Sequence, residues 1–275
     1  MNASRTHSEI REYLSFVATL ALIVFLLRGL VVAPFNIPSE SMQPRLLIGD
    51  YLLVAKWPYG YSRYSLPFSA PLIPGRIFAA TPERGDVIVF KAPSNIKEDW
   101  IKRVVGLPGD TVQVRDGVLF LNGLAVRRQR IADFVIPVTA NMFAATRKEG
   151  GVSPCFRPKY ERRDDAGTLS CHYPRYRETM PNGRSYDTLD VADDAGDNTP
   201  VVNVPANHVF VMGDNRDRSA DSRVPSSEGG VGLLPMINVE GRALVSVFST
   251  DGSASWLRPW TWLSATRAER IGEGF

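Results

Sequence analysis

Two serines set two positions apart, Ser39 and Ser41, stand in the run Phe35-Asn36-Ile37-Pro38-Ser39-Glu40-Ser41-Met42-Gln43-Pro44. In an extended chain they point the same way. Pro38 and Pro44 bracket them, fixing φ at two points and biasing the residues before them towards extended geometry. A free serine hydroxyl is a poor nucleophile and needs a base. Beyond the apolar N-terminal segment the only histidines are His172, in an irregular stretch, and His208, which opens a strand and suits a structural part. Lysine is the other candidate base, in a Ser-Lys variant of the triad logic. Lys102 sits among Trp100, Ile101, Val104 and Val105, where a lysine is unexpected. Burial there would lower its pKa by disfavouring the charged form. Each group has a plainer reading. Ser-x-Ser between prolines is common in turns. Lys102 can point to solvent, and of Lys102 and Arg103 on one strand, one must do so. A third run, Gly213-Asp214-Asn215-Arg216-Asp217-Arg218-Ser219-Ala220-Asp221-Ser222-Arg223, is too polar for core. Its acids and arginines suit either an ion-pair network that fixes a loop or a solvated turn.

These residues need elements to hold them. The only long apolar segment runs from Tyr13 to Ala33 and precedes the serines directly. It is long enough to span a bilayer, which takes ~20 residues, and Arg28 near its outer end can snorkel to the interface. A cleavable signal peptide ending at Val31-Val32-Ala33 is the competing reading. It would place Pro34 just past the scissile bond, where proline fits poorly. The segment therefore reads as a retained anchor at 13–33 behind a cytoplasmic tail at 1–12 that carries Arg5 and Arg11.

After the serines, Gly49–Lys56, entered through a turn, and then Asp86–Lys91 and Trp100–Val105 read as strands, followed by a turn at Gly106-Leu107-Pro108-Gly109-Asp110. Thr111–Arg115 and Val118–Leu121, joined by Asp116-Gly117, carry a strong hairpin signal. Residues 57–82 read as a surface loop whose Trp57, Tyr59, Tyr61 and Tyr64 suit a lipid interface. From 127 to 205 the pattern dissolves into charge, Pro, Gly and Asn, which reads as a weakly structured inserted subdomain. Asn207–Met212 and Gly241–Phe248 return to the main sheet. The fold class is mainly β: an antiparallel, barrel-like catalytic domain (34–126 and 206–275), one insertion, and one transmembrane α-helix in front.

The 275 residues and formal net charge of +3 suit one large domain or two small ones, with no nucleic-acid footprint. Cys155 and Cys171 are the only cysteines. In a non-cytosolic domain they can form one disulfide, closing a loop for about 3 kcal/mol, or stay as two thiols. A zinc site lacks the usual ligand spacing.

Taken together, the Ser41 loop, the Lys102 strand with its Gly-Leu-Pro-Gly-Asp turn, and the Gly-Asp-Asn-Arg-Asp…Ser-Ala-Asp-Ser-Arg run resemble the signature regions of the type I signal peptidases, in that family's order and behind its anchor. The match covers the anchor and most of 34–123 and 206–248, and excludes the insertion. The resemblance implies Ser41 as nucleophile and Lys102 as general base, with the Ser41 N–H and the Ser39 hydroxyl as oxyanion hole. It implies that Ser219 orients the Lys102 amine, that Asp221 and Arg223 pair to hold their loop, and that Asp214 and Arg216 support it. Phe35, Ile37, Val89 and Ile101 would line shallow apolar pockets for small side chains before the cut. It implies neither metal nor cofactor. Its implied partners are signal peptides of exported preproteins, the lipid bilayer and a nearby secretion translocon; its implied place is a bacterial inner membrane, spanned once, with the catalytic domain on the periplasmic face. Some features depart from the family's usual pattern: Glu40 in place of a frequent glycine, Arg218 in place of a smaller polar residue, Val224–Val231 ahead of Gly232-Leu233-Leu234-Pro235, and one apparent span rather than two. Two other readings stand beside the general peptidase: a dedicated processing enzyme of one secretion or conjugation system, and a non-catalytic anchored domain that binds extended peptides.

Overall fold

A computed structural model describes residues 3–255 and 257–275, with side chains from Glu9 onward. Helix α1 (Ala3–Leu26) runs into a π-helical turn, Leu27–Val31. Leu14, Phe16, Leu20 and Leu22 on it are exposed, and Glu9–Val31 is long and apolar enough to cross a membrane. A helix satisfies its own backbone, so such a face suits lipid. The helix stops two residues before the expected Ala33. The β-branched pair Val31-Val32 and the coming Pro34 favour extended backbone, and Ala33 is buried in strand β1 (Val32–Asn36). The expected tail is helical from Ala3; Met1, Asn2 and the Arg5 side chain lie outside the described residues.

The main sheet has seven antiparallel strands. After β1 come β2 (Asp50–Ala55), β3 (Val87–Ala92) and β4 (Asn95–Gly106). Between β4 and the insertion lies the hairpin β5 (Thr111–Arg115) and β6 (Val118–Leu121). The insertion contributes β7 (Arg127–Pro137), α2 (Ala140–Lys148), β8 (Glu161–Arg163), β9 (Leu169–Thr179) and β10 (Ser185–Leu189). The chain returns through β11 (His208–Met212) and β12 (Val239–Ser249). In space the main order is β1-β2-β12-β3-β4-β11, closed by Leu234–Pro235. Val87 and Val89 of β3 join one apolar cluster and Ile88 and Phe90 another. Both faces are covered, which is why that strand reads as a continuous apolar run. Strand β1 ends the sheet, and β4 pairs with β11 only from Arg103 onward. The β4 stretch up to Lys102 therefore keeps one free edge.

Two expectations need correction. The insertion is not weakly structured: β9 pairs with β7 along one edge and with β8 and β10 along the other. Ile136, Met142, Tyr160, Tyr173, Leu189 and Val191 pack around Cys155 and Cys171, which are bonded with Cα atoms 5.3 Å apart. Few positions on each strand are buried, and they lie among arginines and other polar residues, which hides this core in a polar composition. The second correction concerns the tyrosines of 57–82. Tyr59 and Tyr64 are buried, and the Tyr59 hydroxyl donates to Asp86 Oδ2 at 2.7 Å. A phenol with a buried acceptor has no need of the lipid interface. Trp57, Phe68, Leu72, Ile77 and Phe78 are the exposed large apolar groups there.

Candidate active site

The serine loop leaves β1 and is pinned from below. Met42 and Leu46 are fully buried beside Ile37, Leu52, Val89 and Ile101. The Leu46 N–H donates to the Met42 carbonyl at 2.9 Å, tightening the turn after Ser41. From above, the Asn215 N–H donates to the Ser41 carbonyl at 3.1 Å. Gly213 makes this approach possible: a Cβ there would lie 2.5 Å from the Ser41 carbonyl oxygen and 2.3 Å from Ser219 Oγ. Those are distances that side chains cannot occupy. Among the described residues, none accepts a hydrogen bond from the Ser41 N–H.

Lys102 reaches the loop from β4, opposite Ile88 of β3. Its Nζ lies 2.8 Å from Ser41 Oγ and donates to the Ile101 carbonyl at 3.0 Å. Ser39 Oγ is 3.3 Å from Ser41 Oγ. The lysine is only 4% exposed, and burial pushes its pKa down to about 8 against the pull of Asp221 and Asp214. Desolvation of the ammonium outweighs two carboxylates too distant to pair with it. The 2.8 Å contact serves in either sense: a charged amine donates to Oγ, and a neutral one accepts the hydroxyl proton.

The expectation that Lys102 or Arg103 must face solvent fails, since both are buried. Arg103 grips Asp214 with two bonds, Nε to Oδ1 at 2.7 Å and Nη2 to Oδ2 at 2.6 Å, and donates Nη1 to the Gly85 carbonyl at 2.8 Å. A bidentate guanidinium–carboxylate pair carries its own compensation into the interior. Asp214 is thus not partnered by Arg216. Arg216 Nη2 instead donates to Glu178 Oε2 of the insertion at 2.6 Å, and the Tyr186 hydroxyl donates to the same oxygen at 3.0 Å. Asp221 and Arg223 do pair, at 2.9 and 3.0 Å, and Asp221 Oδ2 accepts the Gly213 N–H at 3.0 Å. Burial raises the Asp221 carboxyl and Arg223 more than offsets it, leaving its pKa below the usual carboxylate range. Ser219 does not hydrogen-bond Lys102; its Oγ is buried without a partner against Gly213.

Phe35, Ile37, Val89 and Ile101 line one cleft of about 590 Å³ together with Ser39, Ser41 and Lys102. Its walls include the free edge of β1 and the free edge of β4 from Glu98 to Lys102. Lys148, at the end of α2, and Arg218 also line it. The departures Glu40 and Arg218 meet: Arg218 Nη2 lies 3.2 Å from the buried Glu40 Oε2 and 2.5 Å from Glu149 just beyond α2. Burial raises the Glu40 pKa, and Arg218 works against that rise. The side chain that interrupts the two serines is therefore neutralised, and the insertion is fastened to the serine loop.

Sequence reasoning missed Arg103, Glu178, Tyr186 and Glu149. The signal for the first was a Lys-Arg pair inside an apolar strand, which calls for two buried partners rather than one. Asp50 was missed too. It is fully buried and accepts from the Leu47 N–H at 2.8 Å, Ser249 Oγ at 2.6 Å and Arg270 Nη2 at 2.7 Å, so the C-terminal segment braces the end of the serine loop. Among the described residues one carboxylate trio, Asp190, Asp197 and Asp217, has ligand atoms within 4.8 Å of one another. Asp190 is paired with Arg128, and Asp217 caps the Val191 and Ala192 N–H groups.

The sequence profile described as "Signal peptidase, peptidase S26" matches residues 10–248. A signal peptidase I of Rickettsia typhi is 32% identical, with 98% of this chain and 95% of that protein aligned. One of Rickettsia canadensis is 33% identical over 98% and 94%. A crystal structure of a signal peptidase I from Enterococcus faecalis V583 is 26% identical and covers 59% of this chain and 97% of that one. Its TM-score of 0.29 carries no weight for the fold.

Proposed function

The chain belongs to the signal peptidase family, peptidase S26, and from that premise we propose how its own residues do the work. It is a membrane-anchored serine endopeptidase that removes signal peptides from preproteins. Neutral Lys102 accepts the Ser41 proton as Oγ attacks the carbonyl carbon of the scissile bond. The tetrahedral oxyanion takes hydrogen bonds from the Ser41 N–H and the Ser39 hydroxyl. The ammonium of Lys102 returns its proton to the leaving amine, and the C–N bond breaks. Lys102 then deprotonates a water that attacks the ester carbonyl; the signal peptide leaves with a carboxylate, and Ser41 recovers its proton. The small side chains before the cut sit over Phe35, Ile37, Val89 and Ile101. The buried unpaired Ser219 hydroxyl is within the same cluster and orients the amine once a rotamer change turns it there. The Asp221–Arg223 and Asp214–Arg103 pairs, with Arg216 on Glu178, hold the loop. The reading extends to place and partners: a bacterial inner membrane, the catalytic domain on its periplasmic face, in contact with lipid and close to the translocon.

One observation carries this reading, a buried amine 2.8 Å from a serine hydroxyl in a cleft with two free strand edges. The test is incubation of the detergent-solubilised protein with a labelled preprotein. Wild type is expected to release the signal peptide, and Ser41→Ala and Lys102→Met to release none while keeping the wild-type circular dichroism. Cleavage by a folded Lys102→Met protein would refute the dyad. Full complementation of cells by Ser41→Ala would favour a peptide-binding domain without catalysis.

A further inference from the structure

Beside the catalytic cleft lies a second and larger groove, of about 840 Å³. One wall is a stripe of the anchor: Val17, Leu20, Ala21, Val24, Phe25 and Arg28. These positions fall on one helical face, at steps of three and four. The opposite wall is the segment Tyr64–Ser69, and the end of the groove is made by β1 together with the charged groups Lys56, Lys91, Asp99 and Glu240. Phe35, Asn36 and Asp99 line both the groove and the catalytic cleft, so the two are continuous. The anchor is seated against the body at its outer end. The Tyr61 hydroxyl donates to the Leu30 carbonyl at 2.9 Å, and the Lys56 N–H to the Val31 carbonyl at 2.9 Å. Gly29 lets Pro67 close in, since a Cβ there would stand 3.1 Å from Pro67 Cδ.

The order of elements suggests the occupant. Within the enzyme an apolar helix leads directly into an extended edge strand and then to Ser41. A precursor presents the same order: an apolar helical segment, a short extended segment, and the bond to be cut. If its extended part adds to the free edge of β1 in the same direction, its apolar helix must lie beside α1. We propose that the groove seats the apolar helical segment of the precursor, so that the anchor is part of the substrate site and not only a tether. This rests on the signal-peptidase reading given above. A side chain as small as Ala21 at the middle of the stripe leaves space for a neighbouring helix to approach.

The experiment uses the full chain in proteoliposomes. A photo-crosslinking residue is placed in the Ser41→Ala background at Val24, on the groove stripe, or at Leu26, on the opposite face. A labelled precursor is then added. Crosslinking to the apolar segment of the precursor is expected from position 24 and at least tenfold less from position 26. Equal yields, or capture only of lipid or of a second copy of the chain from position 24, would overturn the proposal. A second measurement does not depend on the inactive background. Ala21→Trp fills the groove, so the ratio of kcat/KM for the intact precursor to that for a short peptide spanning only the cut should fall about tenfold. An unchanged ratio would overturn the proposal while leaving the peptidase reading intact. Failure of the wild-type chain to cut either substrate would remove both.

Discussion

At the scale of single residues, the proposed mechanism depends on how cheaply one proton can leave one nitrogen. Lys102 is held near a pKa of about 8 by burial, well under the usual lysine value. The sign of the linkage is fixed by the direction of that shift. A lysine whose folded pKa is depressed costs stability at every pH below the folded value, and the cost disappears as pH rises from about 8 towards the ordinary 10.5. Lys102→Met keeps the stem and removes the charge. It is expected to be more stable than wild type at pH 7, by up to about 3 kcal/mol, with the gap closing between pH 8 and 10.5. Denaturant unfolding at several pH values reads this directly, and a constant gap would mean the lysine is not strained in the fold. Ser39 offers a second test. Its hydroxyl is 3.3 Å from Ser41 Oγ, near where charge develops. Ser39→Ala should lower kcat by about 10²–10³, the usual worth of one oxyanion donor, and leave KM nearly unchanged. A change confined to KM would contradict the role.

At the scale of elements, two of the departures from the family's pattern, Glu40 and Arg218, act as one. Glu40 is buried and Arg218 is its counter-charge. Removing the arginine alone leaves a buried carboxylate exposed to its full desolvation cost. Arg218→Ala should therefore destabilise by about 1–3 kcal/mol and slow cleavage, while Glu40→Gly together with Arg218→Ala should recover most of both losses. A double-mutant cycle measures the coupling; strictly additive effects would show that the contact has no energetic weight. What could be read in advance at this scale divides along physical lines. Strands β2, β3 and β4 and the β5–β6 hairpin announce themselves by apolar runs and an Asp-Gly turn. The insertion did not, because β9 buries Cys171 and Tyr173 but leaves Arg175 and Arg177, the next two positions of the same face, outside its core, and burial then shifts to Glu178 on the other face. Ser41 and Lys102, the proposed nucleophile and base, draw notice because their residue types are chemically odd where they stand, whereas the Asp221–Arg223 pairing seen in the structure was an implication of the family resemblance. The partners of Arg103 and Arg216 were not legible: Asp214 is 111 positions from Arg103, and Glu178 is in a segment with no recognisable pattern.

At the scale of the whole molecule, the insertion is built into the catalytic domain. Glu178 of β9 holds Arg216, Met180 and Tyr186 pack with Val105 and Phe210, and Leu47 joins the disulfide-centred core. Glu178→Ala strands a buried arginine and a tyrosine hydroxyl, a loss of about 3–5 kcal/mol on the usual scale of broken buried pairs. It should lower the single unfolding midpoint of the soluble body while leaving one cooperative transition. A separate early transition for the insertion, with the catalytic part unaffected, would mean that the two fold independently.

The account as a whole stands on a lysine that is neutral when it works, and the pH dependence of cleavage reads that state. For wild-type enzyme and a short peptide substrate, kcat/KM is expected to climb about tenfold per pH unit on the acid side and to level off above a midpoint near 8, where Lys102 loses its proton. A profile that stays flat down to pH 6, in a protein whose Ser41→Ala form is inactive, would contradict it.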